Sequence, residues 1–234
     1  MITHPEHFIL ASASPRRADM LHAAGYAFEV QHSPVAEPRR RPRDIPLDLW
    51  PTALAFLKAY AVARECSVGT ATVLGADTIV VLDGKILGKP RHRGDARVML
   101  QRLSGRQHEV ITGLALVRVF AGGGQGRRES SRTLTIRKKR KPGESFLAVR
   151  LSRSVATCRV CKLRDAWLEK YLDSGLWRGK AGAYGIQDHG DPWVRLVAGE
   201  FSTVAGLPME LLSHELAAMD SMPPQVSTLT YKKG

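Results

Sequence analysis

The run Thr72-Val73-Leu74-Gly75-Ala76-Asp77-Thr78-Ile79-Val80-Val81-Leu82 leaves few choices of fold. It is too apolar and too rich in β-branched residues for a surface element, so it reads as a strand buried on both faces at the centre of a sheet. Asp83-Gly84 follows at once and is a hairpin turn signal; the return strand carries Lys85, Ile86 and Leu87 and ends near Lys89-Pro90. A carboxylate inside such a strand is costly to bury unless it is paired, hydrogen-bonded or bound to a metal. Asp77 is therefore either a base or metal ligand, or an acid at a bulge that is satisfied by backbone amides.

Strands and helices alternate around this segment. Phe8-Ile9-Leu10-Ala11 reads as a buried strand running into Ser12-Ala13-Ser14-Pro15-Arg16-Arg17. Ser14 suits an N-cap and Pro15 the first helical position, and the helix passes Met20 and Leu21 to stop at Gly25. Thr52 to Cys66 predicts a second helix, with Leu54, Leu57 and Ala61 at helical spacing. Further along, Asp95 to Leu103 predicts a helix, Val110 to Phe120 a strand, Ala156 to Leu163 a strand, and Asp165 to about Leu172 a helix. A strand passes through Trp193, Val194, Leu196 and Val197, and Leu207-Pro208-Met209 opens a last helix. Interleaved elements with one antiparallel hairpin predict the α/β class with a mixed sheet. A single domain is expected over residues 1–218, with a polar tail at 219–234.

The formal net charge of +13 invites a nucleic-acid reading until its position is considered. Between Arg118 and Arg153 there are 11 Lys or Arg against only Glu129 and Glu144, so most of the excess sits in one segment. Residues 121–153 open with Gly122-Gly123-Gly124, continue through Arg137-Lys138-Lys139-Arg140-Lys141, and show no sustained apolar periodicity. They read as an inserted flexible loop or long hairpin. Nucleic acid is expected as a partner only through this segment, and with Phe120 and Phe146 as its nearby aromatics it lacks a stacking platform. No stretch reaches the roughly 18 apolar residues needed to cross a bilayer, and Met1 to Glu6 carries no secretory pattern, so a cytoplasmic protein without a membrane partner is expected. Sparse cysteine (Cys66, Cys158, Cys161) suits a reducing compartment, and Cys158 and Cys161 read as ordinary thiols in or beside a strand.

The first strand–helix junction has the layout of an anion site. Unpaired amides and the positive end of the helix dipole attract phosphate, Ser12 and Ser14 add hydroxyls, and Arg16 and Arg17 add forked cations. An ordinary cap followed by solvated arginines fits the same residues. Lys89, at the end of the hairpin, is placed to reach a phosphate or Asp77, or is a surface lysine. Gly179-Lys180-Ala181-Gly182-Ala183-Tyr184-Gly185-Ile186-Gln187 has glycines that let a backbone approach a ligand, with charge from Lys180 and a donor–acceptor pair from Gln187. Glu37, in a Pro-rich connection, matters only if it folds back toward Asp77; two acids within reach of one Mg²⁺ suffice for phosphoryl chemistry.

Together, Leu10-Ala11-Ser12-Ala13-Ser14-Pro15-Arg16-Arg17, Leu74-Gly75-Ala76-Asp77-Thr78, Gly88-Lys89-Pro90 and the Gly179 to Gln187 loop resemble the Maf family. The resemblance spans about residues 7–120 and 156–216. It implies an elongated mixed sheet related to the inosine triphosphate pyrophosphatases, two lobes around a nucleotide cleft, a divalent metal (Mg²⁺ or Mn²⁺), and frequent homodimers. It further implies cleavage of a nucleoside triphosphate between its α- and β-phosphates, with Asp77 as proton acceptor and Asp77 and Glu37 at the metal. Arg16, Thr78 and Gln187 would set substrate choice, and Ser12, Ser14, Arg17, Lys58, Lys89 and Lys180 would hold the phosphates. The late loop is similar to that of members acting on dTTP and UTP rather than on 7-methyl-GTP. A nucleic-acid-binding or septum-regulating protein acting through residues 121–153 is the reading from another class.

Overall fold

A computed structural model describes residues 7–36, 38, 40–66, 70–120, 134–136, 146–187 and 193–221. Its centre is the strand expected from the apolar run, β3 (Ala71–Leu82), which pairs antiparallel with β5 (Gln107–Phe120) from Ala71↔Val119 to Val81↔Glu109. β7 (Phe146–Val160) continues the sheet antiparallel to β5, in register from Gln107↔Arg159 to Phe120↔Phe146. On the other edge of β3, β1 (His7–Leu10) runs parallel to Ala71 through Leu74, and β2 (Glu29–Val30) lies parallel beyond it. β4 (Lys85–Leu87) folds back on Val80 through Leu82. The turn between them uses Asp83 and Gly84, both left-handed at φ 52° and 68°, as a two-residue hairpin requires. β6 (Leu134–Ile136) and β8 (Val194–Ala198) pair with β7, completing an eight-stranded mixed sheet.

Helices cover both faces. α2 (Trp50–Glu65) lies on one, packing Ala55, Ala59 and Val62 against Val73, Ala115 and Val117. On the opposite face, α1 (Pro15–Ala23) and α6 (Met209–Asp220) enclose Leu74, Ala76, Leu114 and Leu116 at one end. α3 (Arg93–Leu103) and α4 (Asp165–Ser174) enclose Val80, Leu82, Val110 and Val160 at the other. Between these groups sits the short α5 (Phe201–Ala205).

The buried face of α2 is only partly the one that leucine spacing suggested. Leu54 is buried against Ile79 and Ile111, but Leu57 is exposed, and the small Ala55 and Ala59 take the remaining sheet-facing positions. The reason is close approach: a Cβ at Gly75 would strike the Ala55 carbonyl, and one at Gly113 would strike the Thr52 amide. Two glycines on neighbouring strands thus let the helix backbone settle directly onto the sheet.

Residues 146–153, expected within the insertion, belong to β7. Leu147 and Val149 bury against the α2 layer, while Arg150 pairs with Glu215 and Arg153 with Asp48. Arg118, the first cation of the basic stretch, is buried and bonds Thr72, the Met219 carbonyl and Asp220. Three of the cations that made this stretch look like a polyanion surface are therefore spent on intramolecular acids. The others, and the tail from residue 222, lie outside the described residues. β2 and α5 are too short to have shown a periodicity. Ser14 does occupy the N-cap of α1, but its hydroxyl makes no capping bond.

Because the obstacle at Gly75 is backbone rather than a movable side chain, Gly75→Ala is expected to cost about 1–3 kcal/mol or more. Urea unfolding measures this directly, and an unchanged midpoint would mean that α2 does not rest on β3 as described.

Candidate active site

β1 holds the first part of the β3 edge and β4 the last, so among the described residues no strand pairs with Gly75 to Ile79 on that side. Strand alternation then sends neighbouring side chains to opposite faces at this gap. Asp77 points to the α2 side, where Lys58 Nζ donates to its Oδ1 at 2.6 Å, both side chains being nearly buried. Thr78 points to the other side, where its hydroxyl meets Arg17 Nη2 at 3.3 Å and Thr112 Oγ1 at 2.9 Å.

Arg17 is a strut. Its Nε donates to the Gly206 carbonyl at 2.8 Å and its Nη1 to Ser12 Oγ at 3.0 Å, so one guanidinium joins the start of α1, the centre of β3 and the segment after α5. Thr112 donates to the Thr203 carbonyl at 2.8 Å and fixes α5 from the sheet side. Sequence reasoning treated Arg17 as a phosphate ligand and Lys58 as a neighbour of the phosphates; the structure gives each a protein partner as well.

A cleft opens from this gap. Its inner part is lined by Asp77, Lys58, Thr78, Lys89, Tyr184 and Gly206. Its outer part, about 680 Å³, is lined by Ser12, Ser14, Arg178, Lys180 and Gln187, and Arg16 and Arg17 border both. That volume is in the range of small-molecule sites. Every candidate residue from the sequence therefore lines the cleft except Glu37, which lies outside the described residues. Arg178 and the wall at Val204 to Gly206 were missed. Arg178 adjoins the Gly-rich loop and was in principle readable; the wall is brought in by the Arg17 bond, for which no local pattern exists.

Six cations (Arg16, Arg17, Lys58, Lys89, Arg178, Lys180) face this cleft against one acid among the described residues, Asp77. Such a field suits a polyanion that presents one reacting centre to Asp77. A cage of three or more His, Cys, Asp or Glu is absent among the described residues. Asp77 is the carboxylate among the described residues that could ligate a cation here.

The family model described as "Maf-like protein" matches residues 7–219. The chain belongs to the Maf-like family. Its relatives include a Rhodopirellula baltica protein, 37% identical over 229 residues that cover 97% of this chain and 88% of that one. A Bacillus cytotoxicus protein is 37% identical (92% and 96% covered), and an Anaeromyxobacter dehalogenans protein 39% identical (86% and 88% covered). All three are named dTTP/UTP pyrophosphatase. A solved Mycobacterium abscessus nucleoside-triphosphatase, dITP/XTP pyrophosphatase, aligns at 14% identity over 92% of this chain and 100% of that one, with a TM-score of 0.33, too loosely to bear on the site.

Behind the cleft, this Maf-like chain buries a histidine. His108 of β5 is 4% exposed and meets the hydroxyl of Tyr184 through Nε2 at 2.5 Å. Burial pulls the His108 imidazolium down to about 4 and pushes the Tyr184 phenol and the Cys158 thiol up. The unfolded chain therefore takes up a proton near the ordinary value of 6.5, while the folded chain waits until about 4. Stability from this residue is complete above pH 6.5 and is lost as pH falls toward 4. The loss amounts to about 3 kcal/mol at most. Melting temperatures across this interval should fall less steeply for His108→Gln than for the parent, and parallel curves would contradict a buried neutral imidazole.

Proposed function

We propose that this chain is a nucleoside triphosphate pyrophosphatase that hydrolyses dTTP and UTP to the monophosphate and pyrophosphate. One observation carries the reading: Asp77, oriented by Lys58, stands at the inner end of a cleft whose walls are cationic and whose outer rim holds Gln187. The names of relatives at 35–39% identity support the same substrates.

In this mechanism the polyphosphate lies along Arg16, Lys89, Arg178 and Lys180, with the Ser14 end of α1 adding donors. Asp77 accepts the proton of a water whose oxygen bonds to the α-phosphorus. The bond from that phosphorus to the bridging oxygen breaks, and its electron pair leaves with pyrophosphate. Lys58 donates to Oδ1, which leaves Oδ2 and a further lone pair of Oδ1 for water and metal. Cations aimed at the leaving group before it forms stabilise its growing charge without reorganising at the moment of reaction.

Asp77 is a carboxylate suited to a divalent ion, and Glu37, outside the described residues, would be the second. Mg²⁺ takes one or two carboxylates and completes its shell with phosphate oxygens and water, so Asp77 with Glu37 would hold it without a protein cage. When bound, Mg²⁺ or Mn²⁺ offsets negative charge on the phosphates. Gln187 gives the substrate preference: its amide pairs with the O4 and N3–H edge of thymine or uracil, whereas cytosine presents the reverse pattern. Arg16 and Thr78 shape the remaining walls. The same reaction on modified pyrimidine nucleotides would serve to cleanse the nucleotide pool.

Purified protein with Mg²⁺ or Mn²⁺ should release pyrophosphate from dTTP and UTP faster than from CTP, GTP or 7-methyl-GTP. Orthophosphate as first product, or preference for 7-methyl-GTP, would replace this reading. Asp77→Asn should lower kcat by about 10²–10⁴-fold with the fold intact, measured by pyrophosphate release alongside circular dichroism.

A further inference from the structure

The loop that carries Gln187 is held in an unfavourable shape. Gly182 and Ala183 are both left-handed, at φ 67° each, and alanine there is strained by its Cβ. Such conformations persist only where the surroundings over-determine them. Three contacts do so. The Gly182 amide donates to the Gly88 carbonyl at 3.0 Å, tying the loop to the Lys89 segment. Tyr171 donates to the Ala183 carbonyl at 3.3 Å. Tyr184 reaches His108 in the sheet, its ring set edge-on to the imidazole at 84°.

The third contact is unlike the others. His108 and Cys158 are register partners on β5 and β7, and the Tyr184 hydroxyl reaches His108 Nε2 in this buried space. Nε2 spends its one bond on that hydroxyl, and His108 Nδ1 is left a buried nitrogen without a hydrogen-bond partner among the described residues. An unsatisfied buried polar atom costs free energy that an apolar ring of similar size would avoid. Packing alone therefore does not account for a histidine here. Its one polar bond, to Tyr184, is what it contributes.

We propose that His108 is a positioning residue for base recognition: through Tyr184 it holds the backbone from Gly182 to Gln187 in the shape that presents the Gln187 amide to the pyrimidine. His108 does not line the cleft and bonds neither Asp77 nor any of its cations among the described residues. The Tyr184 ring also packs against Trp193, with ring centroids 5.8 Å apart. The inference rests on Gln187 reading the base as proposed above, and it assigns the loop's support to a residue outside the nucleotide cleft.

Tyr184→Phe removes the hydroxyl and keeps the ring, His108→Leu removes the partner, and His108→Gln retains a group able to bond the phenol. Tyr184→Phe and His108→Leu should raise KM for UTP by about five- to tenfold, the worth of one hydrogen bond, with kcat within about threefold. The preference for UTP over CTP should fall by a similar factor, the inhibition constant of inorganic pyrophosphate should stay at the parent value, and His108→Gln should recover part of the loss. Combining Tyr184→Phe with His108→Leu should do no more than either alone. A Tyr184→Phe enzyme with parental KM and parental UTP preference would overturn the proposal. So would one that weakens pyrophosphate as much as UTP, since that is general loosening. If the parent releases no pyrophosphate from UTP, the substrate reading fails separately. Hydrogen exchange at residues 182–187 then decides the anchor, faster exchange in Tyr184→Phe supporting it and unchanged exchange overturning it.

Discussion

A strand that is paired along one edge throughout, and along the other only at its ends, sets the rest of this molecule. β3 is central by composition and must bury both faces, yet among the described residues β1 and β4 leave Gly75 to Ile79 without a strand neighbour on one side. Side chains converge at this gap from both faces, Lys58 bonding the Asp77 carboxylate, and Arg17 with Thr112 the Thr78 hydroxyl. A break in the ladder becomes a place where groups from separate layers meet at one cleft.

That convergence needs tight tolerances. α2 brings Lys58 within 2.6 Å of Asp77 only because its backbone rests on Gly75 and Gly113, with alanines in between. Arg17, on the other face, ties three elements that are remote in sequence. The acid and its neighbour Thr78 are thus supported by different layers. Substitutions under α2 bear on the reacting carboxylate, and substitutions near α5 bear on the walls.

Much of this was legible in the residues. The composition of β3, the Asp83-Gly84 turn and the lone Asp77 each state a constraint that is local, and each appears where it was expected. The glycine-rich loop and the Ser14 to Arg17 junction also line the cleft as anticipated. What escaped was non-local. The α2 stripe was partly misjudged because leucine outweighs alanine in any periodicity, whereas close packing on glycine selects the smaller residue. Residues 146–153 looked like loop because Arg150 and Arg153 interrupt the apolar pattern, and their acids, Glu215 and Asp48, lie far away in sequence. The Lys58–Asp77 pair and the His108–Tyr184 bond likewise join positions that no local motif connects.

The register of β5 with β7 has one more consequence. Asp77 sits opposite Gly113, and the hairpin continues to Phe120 and Phe146 before residues 121–145 begin. Seven residues of extended chain separate the two points, about 24 Å. β3, β5 and β7 run side by side over that distance, and Leu134 to Ile136 of β6 lie against the outer end of β7, so the breadth of the sheet itself stands between the reacting carboxylate and the point where the chain leaves Phe120.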